Sequence, residues 1–393
     1  MHGEGVYGEL MKRLVGAVIV IILAVILSGV FFITPNINGA FTQQSLGEIT
    51  IGVLAPLTGD LANYGEGEKN ALLLAADEIN PIGGINGKKI KLVFEDSPCN
   101  PTEALTAATK LIEINNAKLI VGPMCSGELL AIAPILNQNK ITAIGLGATS
   151  PSITNAGDYV FRDSPSDDLR AKVFAEYIYN EKKVTELQTI YENDDAGAAF
   201  NKYFVEYYTG LGGKVTKEEA YEKGSTDFRS VLTKINSTPH ENIAVFSFPS
   251  ETGEILKQSK ELGINTNFFE GFEVMSDPQV KQIAGNTTEG VVYIQSAQAN
   301  NEAATNFKKN YLARFGKDAP YYSAEAYDAL KIYAEALKRT NGNANKVKDE
   351  LYKIKNFEGA SGTITFDEQG DVIKPFEIGQ VVNGGLVTIK VVE

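Results

Sequence analysis

Apolar and polar positions fall into two alternating rhythms along most of this chain. Short unbroken apolar runs at 49–54, 90–94, 119–121 and 141–144 read as buried parallel strands. Between them, apolar residues at 71, 72, 74, 75 and 79 predict a helix over 66–80 that Asn80-Pro81 stops, and 101–114 predicts one with Pro101 in its first turn. Positions 129, 132, 133 and 136 predict another. The beat continues with helices over 168–180, 198–209, 227–235, 251–262, 302–315 and 322–339, and strands at 187–191, 215–220, 243–248, 268–269 and 291–294. The last part, 362–366 and 376–392, is strand-like and broken by Gly and Asp turns. Such alternation predicts an α/β fold with parallel sheets covered on both faces. At 393 residues the expected arrangement is two doubly wound units rather than one.

One stretch breaks the beat. Residues 14–33 form a 20-residue run without a charge, long enough to cross a bilayer as a helix. Lys12 and Arg13 precede it and no Lys or Arg follows until Lys69, which places the rest of the chain outside the cytoplasm. The length of the run favours a retained anchor, with cleavage near Asn38-Gly39-Ala40 as the alternative. No cysteine follows closely enough for a lipid anchor, and 34–47 reads as a polar linker.

Composition narrows the function. A net charge of -13 argues against nucleic acid as a partner, because phosphate binding needs clustered Lys and Arg. The only histidines are His2, in the leader, and His240, in a polar turn, so a His-based triad is excluded. No Gly-x-Ser-x-Gly elbow and no metal-spaced cluster is present, so we expect neither an enzyme nor a bound metal or cofactor. Gly65-Glu66-Gly67 lacks the third glycine of a dinucleotide fingerprint and carries acids where pyrophosphate would sit.

Candidate binding chemistry gathers at strand ends. Ser126 stands where the strand at 119–121 turns into a helix, the place of an N-cap and of free, dipole-backed amides that attract anions. Carboxyl ends of parallel strands are also where open α/β sheets bind ligands. Gly145-Leu146-Gly147-Ala148-Thr149 repeats the logic after the next strand; its small residues let a ligand approach the backbone and Thr149 adds a second hydroxyl. Two hydroxyls and several amides around one point suit a carboxylate. Cys99 and Cys125 follow strand ends that neighbouring strands would place side by side. They form a disulfide in an exported protein or stay as two separate buried thiols.

These residues carry a resemblance. The chain from 48 to 393 resembles the type I periplasmic amino-acid-binding proteins, receptors of branched-chain amino-acid ABC importers. The segments that carry it are 51–59 with Tyr64-Gly65, 77–80 with 83–87, 94–96 with Cys99-Asn100-Pro101, Cys125-Ser126 and 147–151. The resemblance implies a type I periplasmic-binding-protein fold: lobe 1 from 48–163 and 297–371, lobe 2 from 164–296 and 372–393, a three-strand hinge, and a ligand cleft between the lobes. It implies that Ser126 and Thr149 take an amino acid's carboxylate, and that the Gly147 carbonyl and Glu273 take its ammonium. Tyr64, Met124 and Phe248 would line the side-chain pocket, and the cysteines would match the family's disulfide. One departure stands out: Asp194-Asp195-Ala196-Gly197 occupies the place of a family Tyr-Gly. The pocket is then expected to be roomier or more polar, with Asp195 as a second carboxylate.

The expected function is capture of an amino acid, of branched-chain type, by lobe closure outside the cytoplasm and delivery to a membrane ABC permease, with the protein acting as a monomer. The alternatives are a sensing ectodomain that works with a separate transducer, and a short amide, urea-type or aromatic ligand on the same fold. Asn236-Ser237-Thr238 and Asn286-Thr287-Thr288 match glycosylation sequons.

Overall fold

A computed structural model describes residues 47–238 and 241–392. The apolar run at 14–33, its cleavage site and His240 lie outside the described residues. Among the described residues, no helix is long and apolar enough to cross a membrane.

The first half is built on a five-stranded parallel sheet in the order β2-β1-β3-β4-β5. Its strands are β1 (Glu48–Ala55), β2 (Lys89–Asp96), β3 (Leu119–Val121), β4 (Thr142–Gly145) and β5 (Val160–Arg162). Strand β5, Val160-Phe161-Arg162, ends on a charged residue and is not announced by the apolar pattern. Helix α1 (Ala62–Ile79) begins four residues before the expected 66, so Tyr64 is helical. Gly65 permits this turn: a Cβ there would stand 2.0 Å from the Pro56 carbonyl oxygen. One face of the sheet packs Ile51, Val53 and Val121 against α1 and against Ala326, Leu330 and Tyr333 from near the end of the chain. The other face packs Leu54, Ile120 and Ala143 against α2 (Pro101–Glu113) and α3 (Ser126–Asn139).

The second half has its own sheet, in the order β14-β13-β10-β9-β8-β6-β7. Its first strands are β6 (Glu186–Glu192), β7 (Lys214–Tyr221), β8 (Asn242–Phe246), β9 (Asn267–Glu270) and β10 (Val292–Ser296). A small antiparallel pair, β11 (Phe357–Gly359) and β12 (Gly362–Ile364), comes next in the chain. Then β13 (Phe376–Val382) and β14 (Gly385–Val392) close the second sheet as an antiparallel hairpin beside β10. Helices α4 (Asp167–Glu176) and α5 (Asp195–Gly210) supply Phe174, Phe200 and Phe204 to the core against one face. Helices α6 (Arg229–Asn236), α7 (Pro249–Glu261) and α8 (Pro278–Ala284) follow in the same half. The chain passes between the halves at 163–166, 297–301 and 373–375, and returns to the first half with α9 (Glu302–Phe315) and α10 (Ser323–Arg339).

Three local expectations are corrected. Cys125, not Ser126, occupies the cap position of α3, and Ser126 is the first helical residue. Strands β2 and β3 are not neighbours: β1 lies between them, with Val53 opposite both Phe94 and Val121. The Cys99–Cys125 disulfide therefore spans the carboxyl end of β1, with Cα atoms 5.4 Å apart, well inside the usual range. Strand β8 ends at Phe246, and Phe248 stands at the cap position of α7.

Candidate functional site

The carboxyl ends of the two sheets meet. Lys223 Nζ, after β7, donates to the carbonyl of Cys99, after β2, at 2.6 Å. Tyr64, Met124, Cys99 and Leu61 from the first half form one apolar cluster with Phe248 from the second. Tyr64, Met124 and Phe248, all expected in a pocket, are thus brought together.

On the first side of the cleft, Ser126 Oγ accepts from the Ser150 amide at 3.1 Å. It ties two strand-end loops together instead of capping its own helix. Thr149 Oγ1 donates to Asp167 Oδ2 at 2.7 Å. Gly147 lies against Met124 and the Tyr322 ring. The Ala148 side chain turns away into the core behind the sheet, so only its backbone faces the same way as its neighbours'. Arg162, fully buried, holds this loop from below: it donates to the Ser150 carbonyl at 2.8 Å while clasping both carboxylate oxygens of Asp371.

On the second side, Glu273 follows β9 and is 2% exposed. Its Oε1 accepts from the amide and hydroxyl of Ser296 at 2.6 and 2.7 Å, and its Oε2 from the Tyr322 hydroxyl at 3.0 Å. Arg170 Nη1 lies 3.0 Å from Glu273 Oε1, and its other face is paired with Asp167. The guanidinium also sits over the Phe200 ring, 5.2 Å from the centroid. Burial opposes the charge on Arg170, but Asp167 and Glu273 outweigh it and raise its pKa. Glu270, buried beside them, is pushed up to about 8 by desolvation, although the Phe272 amide bonds its Oε1 at 2.6 Å. Tyr64 is raised well above the usual tyrosine value, by burial first and then by Asp277.

Asp195 is placed elsewhere. It is exposed on the first turn of α5, near Gly127, and lines a separate outer groove with Asn193 and Lys202. Asp194 caps that helix, accepting from the amides of Ala196 and Gly197 at 3.1 and 2.7 Å. The buried carboxylate of this segment is Glu192, the last residue of β6.

Sequence reading missed Asp167, Arg170, Glu192, Tyr321 and Tyr322. A signal existed for Arg170: it falls in the stripe 167, 170, 171, 174 of α4, at a position that the helical period marks as buried. Among the described residues, the one acid–thiol group close enough for a metal ion is Cys99, Cys125 and Glu128, and both sulfurs are committed to the disulfide.

Two α/β halves that face their strand ends across one buried cluster of hydroxyls, carboxylates and aromatic rings define a two-lobed ligand-binding protein. The model of the periplasmic binding protein family matches residues 48–385, and the chain belongs to that family. Leu/Ile/Val-binding protein homolog 3 of Brucella melitensis is 26% identical over 354 residues, covering 89% of this chain and 96% of that protein. The branched-chain amino acid transporter substrate binding protein LivJ of Streptococcus pneumoniae, solved with isoleucine, superposes with a TM-score of 0.80 at 28% identity, over 88% of this chain and 99% of that one. An ABC transporter solute binding protein from R. palustris, solved with benzoate, has a TM-score of 0.79 at 20% identity over 88% and 96% of the two chains, and shows the fold alone.

Proposed function

We propose that this chain is an extracytoplasmic substrate-binding protein of an ABC importer, and that it captures an α-amino acid by closing its lobes and delivers it to a membrane permease. One observation carries the reading. A continuous polar path runs from Thr149 through Asp167 and Arg170 to Glu273 and on to Tyr322. It joins hydroxyls suited to a carboxylate with an acid suited to an ammonium, inside a cleft lined by Tyr64, Met124 and Phe248. The similarity to the isoleucine-bound protein supports the same reading.

In this mechanism the ligand docks first on lobe 1 (48–163 and 297–371), its carboxylate on Ser126, Thr149 and nearby amides. The Gly147 carbonyl and then Glu273, from lobe 2 (164–296 and 372–393), take the ammonium as the lobes swing about the three crossings. Closure is worth only what the ligand adds to the closed state relative to the open one. Binding and release complete the proposed cycle.

A thermal-shift panel of α-amino acids, short amides and aromatic acids, followed by calorimetry, tests the proposal, because a tight binder raises the melting temperature. We expect α-amino acids to shift it and Ser126→Ala and Glu273→Gln to abolish the shift. Stabilisation only by compounds that lack a carboxylate or an ammonium would overturn the assignment of the site.

A further inference from the structure

Beyond Tyr64 and Met124 the cleft continues into a second chamber. Leu61, Cys99 and Phe248 belong both to the apolar cluster at the head of the site and to the wall of this chamber, so the two are contiguous. The cavity measures about 60 Å³, several times the ~10–15 Å³ that one water needs. Its far end is not apolar. Glu192, Lys223 and Glu251 line it from the second half, and Asp60 stands at its rim from the first.

The charges there do not balance. Glu192 is fully buried; its Oε2 accepts from the Tyr221 hydroxyl at 3.3 Å, and its Oε1 finds no hydrogen-bond partner among the described residues. The charged groups that act on it are Asp194, Glu251 and Lys223. Glu251 is 4% exposed and is bonded through one oxygen to the Ser250 hydroxyl. Lys223 acts on both acids, and it spends a donor on the Cys99 carbonyl. A buried carboxylate oxygen left without a donor costs free energy, the more so when charged. Asp60, from the other side of the cleft, adds like charge against Glu251. A cation entering the chamber reverses both penalties.

The geometry points to a ligand whose side chain ends in a cation: an amino acid with its carboxylate at Ser126 and Thr149, its aliphatic stem over Tyr64, Cys99 and Phe248, and its terminal ammonium or guanidinium at Glu192. This inference rests on the α-amino-acid reading and names the ligand class within it. A branched apolar side chain would instead leave Glu192 Oε1 buried and unpaired.

Calorimetry on the full chain in mild detergent, with L-lysine, L-arginine, L-leucine and L-isoleucine, tests it. We expect lysine or arginine to bind at least tenfold more tightly than leucine. Glu192→Gln should cut that preference at least tenfold, and Asp60→Asn, at the exposed rim where folding is not at stake, should cut it severalfold. Equal or tighter binding of leucine or isoleucine would overturn the cationic chamber while leaving the amino-acid site standing. Binding of none of the four, with aromatic acids or amides bound instead, would overturn both. A preference for basic ligands untouched by both substitutions would also remove the chamber from the explanation.

Discussion

The Tyr322 hydroxyl donates to Glu273 Oε2 at 3.0 Å across the cleft, from the start of a helix packed on the first sheet to a loop of the second. Both residues hold left-handed backbone, with φ of 64° and 62°. Side chains other than glycine's rarely adopt it, and strain of this kind gathers at functional sites. A hydrogen bond to a charged group contributes about 1.5–3 kcal/mol. Tyr322→Phe should therefore weaken ligand binding by roughly ten- to a hundredfold while the melting temperature of the free protein changes little. Calorimetry and thermal unfolding together read the two effects.

Glu273→Gln separates recognition from packing. In a desolvated cleft, removing one partner of a charged pair costs about 2–5 kcal/mol, so we expect ligand affinity to fall at least thirtyfold. The substitution also takes a carboxylate from Arg170. Thermal unfolding without ligand should show a modest loss, because Asp167 still holds the guanidinium.

Arg162 should be the most sensitive position beneath the site. It is buried and grips Asp371, Thr154 and the Ser150 carbonyl at once. Breaking a buried pair by removing one partner costs about 3–5 kcal/mol. Arg162→Met should lower the unfolding midpoint in urea by a corresponding amount and loosen the loop that carries Thr149. Asp371→Asn should reproduce the effect in part.

The disulfide closes a separation of 26 residues, which in the chain-entropy model corresponds to about 3–4 kcal/mol. The Cys99→Ser/Cys125→Ser pair should lower the melting temperature by roughly 4–6 °C. Affinity should fall as well, since the bridge forms part of the pocket wall.

Buried acids set the response to pH. Burial pushes Glu128 up to about 7 and Glu192 and Glu270 up to about 8, and raises Glu68 and Asp163 well above the usual range. An acid whose folded pKa is raised holds its proton better in the folded chain. Stability should therefore be greatest in mild acid and decline as pH rises from the unfolded carboxyl value, about 4.3, through 8. Glu68 has both oxygens buried without partners among the described residues. Glu68→Gln should flatten the decline and leave the protein equally stable or more stable at pH 8, as measured by urea unfolding across pH.

Local pattern carried the architecture and the positions of two candidate hydroxyls. Strand runs and helical stripes are local, and Ser126 and Thr149 are placed by the strands directly before them, so both could be read without knowing any distant contact. Tyr64, Met124 and Phe248 came from the family resemblance and not from any local spacing. What the local pattern could not contain was pairing across the chain: that β1 separates the cysteine-bearing loops, that Tyr322 reaches back to Glu273, and that Arg170 lies between Asp167 and Glu273. It also misjudged Asp195, because a helix start exposes one acid and buries another three residues earlier according to what the facing half presents. Those choices belong to tertiary structure, since burial and charge pairing depend on which surfaces meet, and here the meeting surfaces lie far apart along the chain.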